Sequence, residues 1–194
     1  MGRILFIATL AVVMVCLVAL LAQDDRGRTL RYSLVLTTSA YLVWLLFWAP
    51  CVEVSDGGIR LKNVWRTVDL PWPAIERIDT RFALTLTTSY GRFVAWAAPA
   101  SGRHRVITTA PTDLRNLPET SYSAGTVGLG DVPRSDSGDA AAVVRQRWEQ
   151  LRDSGYLDGA RLDPDFSPVR WHRGHLIVFS TLAVASILAL VAPR

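Results

Sequence analysis

Three stretches of this chain, residues 4–22, 33–50 and 176–192, are 19, 18 and 17 residues long and contain no Asp, Glu, Lys or Arg. A helix that crosses a bilayer needs about 20 predominantly apolar residues, and about 17 is the lower end. All three stretches meet that length, so the sequence predicts three transmembrane helices and excludes a soluble monomer. The rest of the composition agrees. Half of the residues are hydrophobic and 20% are charged, against about 25% charged in an average soluble domain. Two cysteines, Cys16 and Cys51, cannot build a disulfide scaffold, and they sit at different depths relative to the apolar stretches.

The first stretch is read as a retained span. A cleaved leader wants small residues at −3 and −1, and the nearest candidate, Leu20-Leu21-Ala22, has leucine at −3. Residues 23–32 are too few for anything but a hairpin between the first two spans, so the N-terminus and residues 51–173 face one side. That side carries Arg3, Arg60, Lys62, Arg161, Arg170 and Arg173, and the other carries Arg26, Arg28, Arg31 and Arg194. The richer side belongs in the cytoplasm. The expectation is a multi-pass plasma-membrane protein with a cytoplasmic central domain. Tyr32, Trp44, Trp48 and Trp171 lie near span ends, where amphipathic rings settle at the headgroup level.

Between the spans the pattern changes to strand and turn. Val52-Glu53-Val54 runs into Ser55-Asp56-Gly57-Gly58, a hairpin signal, and Ile59 and Leu61 then alternate with Arg60 and Lys62. After Asn63 the alternation resumes from Trp65 to Leu70. Pro71-Trp72-Pro73 breaks the ladder, and further strands follow at 82–87 and 93–98. Five or six short antiparallel strands would make a bent sheet or partial barrel that needs a cap. Ala141, Val144, Trp148 and Leu151 supply one, as the apolar stripe of a helix whose Arg145, Gln146, Glu149, Gln150 and Arg152 face away. Ser137 or Asp139 is expected to cap its start and Gly155 to end it. Trp72, Trp148 and Leu151 are the expected structural residues, with Trp148 as the plug of the sheet.

The run Ile59-Arg60-Leu61-Lys62-Asn63 after glycine, Trp65-Arg66-Thr67, and Leu70-Pro71-Trp72 leading to Ile75 resembles the small bacterial PH-like domains. It is most similar to the kind named after low-molecular-weight protein antigen 6, found in membrane proteins of high-GC Gram-positive bacteria. The stretch from Tyr90 to Trp96 resembles the last hairpin of that domain. Arg147-Trp148-Glu149-Gln150-Leu151-Arg152 and Gly155-Tyr156-Leu157-Asp158 resemble its C-terminal helix and exit. The resemblance covers residues 52–98 and 140–158, and with the spans read from the apolar stretches it implies a membrane-anchored α+β protein: a two-span hairpin (1–50), a PH-like β domain (51–105), a capping helix and exit (140–158) and a third span (176–192). Residues 106–139, rich in Thr, Ser, Gly and Pro, depart from the family pattern and are read as a flexible insertion.

Catalytic chemistry is not indicated. No nucleophile elbow or histidine-containing triad signature occurs, and the glycines of 125–130 lack the Lys-Ser or Lys-Thr of a phosphate loop. His172 and His175 stand three apart, with His104 the only other histidine, so a zinc site is not expected. No cofactor is expected either. Residues 57–105 carry eight basic and three acidic side chains, and a basic domain beside an anionic leaflet gains about 1 kcal/mol per well-placed cation. The aromatic residues alternate into the expected core, which argues against nucleic acid. The expected partners are membrane lipid and a membrane protein. The leading expectation is a non-enzymatic accessory or scaffolding component of a membrane assembly. The alternative is anionic-headgroup binding through Arg60, Lys62 and Arg66, which alternation places outward.

Overall fold

The change from long apolar runs to short alternating ones divides the chain into two compact units, residues 1–50 with 171–194, and residues 51–170. The computed structural model describes residues 2–22, 25–80, 82–99, 122–123, 126–127, 136–157, 163 and 165–192. In chain order the elements are α1 (Gly2–Leu21), α2 (Arg26–Phe47), β1 (Cys51–Ser55), β2 (Gly58–Lys62), β3 (Arg66–Pro71), a 3-10 turn (Trp72–Ala74), β4 (Ile75–Asp79), β5 (Ala83–Thr88) and β6 (Gly91–Pro99). They continue with β7 (Tyr122–Ser123), β8 (Thr126–Val127), α3 (Asp136–Asp153), β9 (Val169–Trp171) and α4 (Arg173–Val191).

In the helical unit, α1, α2 and α4 are each long and apolar enough to cross a membrane. The second helix begins seven residues before the uncharged stretch at 33. Asp25 caps it by accepting the Arg28 N–H at 3.0 Å, which satisfies one of the donors a helix start leaves open. It ends at Phe47, ahead of Pro50, because a residue before proline is pushed out of the helical region. Polar side chains tie the helices together. Thr29 Oγ1 donates to the Leu20 carbonyl at 3.1 Å, joining α2 to α1. Thr38 Oγ1 lies 2.8 Å from Ser186 Oγ, and Tyr41 Oη lies 3.0 Å from His175 Nδ1, joining α2 to α4.

In the β unit, β1-β2-β3-β9 form one sheet and β4-β5-β6 a second, both antiparallel where β1 to β6 pair. The expected single bent sheet is thus split, at the place where Pro71 lacks an N–H and the 3-10 turn carries the chain from one sheet to the other. The inner faces supply Ile59, Leu61, Val68 and Leu70 from the first sheet and Leu84, Leu86, Phe93 and Ala95 from the second. Trp72 is fully buried among them, and its Nε1 donates to the Ser55 carbonyl at 2.8 Å. The burial of its ring and the satisfaction of its one polar atom fix the first hairpin turn over the core.

The helix α3 covers this core. Ala141 and Val144 are fully buried in it, and Trp148 and Leu151 pack against it half-buried. Trp148 Nε1 donates to the Ile75 carbonyl at 3.2 Å, and Arg147 pairs with Asp56 of the first hairpin turn at 2.6 Å. One expectation is corrected here. Arg145 does not face away: it is buried, and its guanidinium donates to the Ile78 carbonyl at 3.4 Å. Its position, four residues after Ala141 and three before Trp148, lies inside the apolar stripe. The helix begins at Asp136, one residue before Ser137. Gly155 ends it with φ of 74°, and the Tyr156 N–H donates to the Leu151 carbonyl at 3.0 Å.

Of the expected insertion 106–139, residues 122–123 and 126–127 pair as β7 and β8 and residues 136–139 belong to α3. The remainder lies outside the described residues, as do His104 and Asp158. After α3 the chain returns to the first sheet. The Pro168 carbonyl accepts the Asp69 N–H at 2.9 Å, and Tyr90 Oη donates to the Asp163 carbonyl at 2.9 Å.

Candidate functional site

The outer face of the first sheet is a ladder of charges. Register sets Glu53 of β1 opposite Arg60 of β2, and Arg60 opposite Asp69 of β3. Lys62, two residues along β2, shares the face and donates to Glu53. Arg170 reaches Asp69 from β9. Three cations thus alternate with two carboxylates, and Arg60 bonds Asp69 while also lying 3.7 Å from Glu53. The Lys62 hydrogen bond holds the Glu53 carboxyl below its ordinary range, and Glu53 in turn raises Lys62. Burial pushes Asp69 upward, but the hydrogen bonds and charges of Arg60 and Arg170 outweigh it and leave the carboxyl lowered.

A carboxyl lowered in the folded state contributes stability that is complete above its unfolded pKa and is lost as pH falls through the folded one. The melting temperature of the full chain in detergent should therefore drop on acidification below about pH 4. The Glu53→Gln, Asp69→Asn double variant should lose part of that slope. Salt should also weaken the wild-type ladder, because these groups are largely solvent-exposed. An identical acid profile for the two proteins would show that the ladder contributes nothing to stability.

Arg66 stands apart from Arg60 and Lys62. It is in phase with the core-facing Val68 and Leu70, whereas Asp69 and Thr67 share the face of Arg60 and Lys62. Alternation is expected to turn Arg66 outward like Arg60 and Lys62, but it restarts after Asn63-Val64-Trp65, and the restart leaves Arg66 in a different phase from those two. Arg66 is half-buried at the start of β3, and no ion pair is formed by it among the described residues.

Asn63, at the bend between β2 and β3, bonds across to β6. Its Nδ2 donates to the Val94 carbonyl at 2.8 Å, and its Oδ1 accepts the Trp96 N–H at 2.8 Å. One side-chain amide thereby occupies an acceptor and a donor two residues apart, the spacing that a neighbouring strand would use. The sequence marked Asn63 only as a bend. The partners Glu53, Asp69 and Arg170 were also missed as charge neighbours, although a tight turn at Ser55–Gly58 already implies the Glu53–Arg60 pairing.

Among the described residues no three His, Cys, Asp or Glu side chains come together as a metal site. His172 and His175 stack edge to face with centroids 5.4 Å apart, and His175 meets Trp44 at 5.7 Å. The arrangement offers a charged, self-neutralising sheet face and an adjacent corner at Asn63. A family model described as a bacterial PH domain matches residues 49–130. No curated protein and no solved structure matches the chain.

Proposed function

We propose that this chain, whose residues 49–130 match a family model described as a bacterial PH domain, is a non-enzymatic integral membrane protein that displays this domain to a protein partner, as an accessory or scaffolding component of a membrane assembly. The observation that carries the reading is the insertion of a binding-type fold between two helices of membrane-spanning length. Only residues 48–50 separate α2 from β1, and β9 runs into α4 with His172 alone between them. The organisation that follows is a two-span hairpin (1–50), the PH-like domain with its capping helix (51–158) and a third span (176–192). The domain faces the cytoplasm on the charge asymmetry already described.

The full chain should remain with membranes in alkaline carbonate and be released by detergent. In a Cys16→Ala, Cys51→Ser background, a cysteine introduced at the exposed Ser89 should resist impermeant thiol reagents until cells are lysed. In mild detergent the full chain should retain a protein at fixed stoichiometry, and a chain keeping its spans but lacking residues 51–170 should not. Extraction by carbonate overturns the membrane reading. Retention of lipid alone overturns the partner reading.

A second reading, anionic-headgroup binding through Arg60, Lys62 and Arg66, draws its support from Arg66, since Arg60 and Lys62 are engaged by Glu53 and Asp69.

A further inference from the structure

The two sheets of the β unit treat their cations differently. On the first, Arg60, Lys62 and Arg170 are each bonded to Glu53 or Asp69. On the second, register sets Arg77 of β4 opposite Thr87 of β5, and Thr87 opposite Arg92 of β6. The next row, Ile78, Leu86 and Phe93, packs in the core, so the Arg77-Thr87-Arg92 row lies on the outer face. Both arginines are exposed, and Thr87 is half-buried between them. Neither arginine side chain forms an ion pair or a hydrogen bond among the described residues. Glu76, at the irregularity in β4, and Asp79, two residues along, are close in sequence and yet leave Arg77 unneutralised. Two strand spacings separate the arginine backbones, about 10 Å.

Further along β6 the same outer face carries Val94 and Trp96, 46% and 54% exposed, in alternation with the buried Phe93, Ala95 and Ala98. Asn63 bonds the backbone at both positions and holds that end of the strand in place. A face set before binding loses less freedom when it is covered. We propose that this outer face of the second sheet is where the protein partner docks, and that the docking element is an acidic segment. Its carboxylates meet Arg77 and Arg92, and an apolar side chain beside them lies against Val94 and Trp96. The inference rests on the partner reading above and gives that partner a chemistry. Guanidinium takes a carboxylate through two parallel N–H bonds. Arginine and tryptophan are also the residues on which protein interfaces concentrate their binding energy. The first sheet is less suited to an acidic segment, because its cations already hold carboxylates.

The test uses the full chain in a neutral detergent and two fluorescein-labelled octapeptides. One has glutamates around a central leucine pair, and the other has glutamines in their place. The glutamate peptide should bind and the glutamine peptide should not. Arg77→Gln with Arg92→Gln should weaken binding about tenfold, the effect of two exposed ion pairs near the upper end of their range. Arg77→Lys with Arg92→Lys keeps the charge without the paired N–H fork, and should recover only part of that loss. Both arginines are exposed, so both variants should melt with the wild type. Equal affinity of the lysine variant and the wild type would mean charge attraction without a shaped surface, and overturns the inference. Displacement of the peptide by dioctanoyl phosphatidylglycerol, but not by dioctanoyl phosphatidylcholine, assigns the arginines to a headgroup and overturns it as well. If the wild-type chain retains a protein in mild detergent and the Arg77→Gln, Arg92→Gln chain retains it equally, the partner reading stands and the inference falls. A wild-type chain that retains no protein overturns both.

Discussion

Replacing Trp72 with alanine is expected to cost about 3–5 kcal/mol, the largest effect of any single truncation in the β unit. The side chain is the largest of the fully buried ones, and it sits where the chain crosses from one sheet to the other. Its removal opens a cavity lined by both inner faces and leaves the Ser55 carbonyl without the Nε1 donor. The two losses can be separated. Trp72→Phe keeps most of the ring and loses the donor, and should cost roughly 1–3 kcal/mol. Thermal melting of the full chain in detergent, followed by limited proteolysis of the β unit, orders the three proteins. An alanine variant that melts with the wild type would mean that the crossing between sheets is held by something other than this ring.

Gly58→Ala should cost about 3 kcal/mol, while Gly57→Ala one position earlier should be close to neutral. A Cβ built on Gly58 would lie 2.2 Å from the Leu70 carbonyl oxygen and 3.0 Å from Pro71 Cα. The neighbour is backbone of the paired strand β3, so no side chain can swing aside. Either β2 and β3 separate, or the hairpin changes register and moves Ile59 and Leu61 off the core face. A Cβ on Gly57 meets nothing within 4 Å. Equal melting temperatures for the two alanine variants would show that β3 accommodates the methyl group without losing its pairing.

That pair of glycines marks how far the sequence could be read. Both belong to a hairpin signal that was legible, and the tight turn is present; which of them touches backbone depends on the approach of β3, a contact that composition and spacing do not encode. The helices of membrane-spanning length were legible because a charge inside such a run is costly, so its absence is informative. Their ends were less so, since α2 continues through Arg26, Arg28 and Arg31 under the cap of Asp25. Strand alternation identified the core-facing residues of β2 and β3; restarted after Asn63, it already groups Arg66 with Val68 and Leu70, a phase that does not match turning Arg66 outward with Arg60 and Lys62. Arg145 was misread for a related reason. Its chemistry argued for solvent, while its position between Ala141 and Trp148 placed it in the buried stripe. In the candidate site, cations were visible singly, and the carboxylates that neutralise two of them became visible only once the register was known.

The contact between α2 and α4 through Thr38 and Ser186 bears on the β unit through the chain that connects them. If the two helices stay joined when the intervening domain unfolds, residues 51–170 become a closed loop and not a free chain. A cross-link around a loop of this size withholds entropy from the unfolded state worth about 4–5 kcal/mol on the chain-entropy model. The helix pair is then a staple, and part of the domain's stability is stored in a hydroxyl pair between apolar helices. An excised domain would be measured against a freer unfolded chain, and a substitution it cannot survive could be tolerated by the same fold held at both ends.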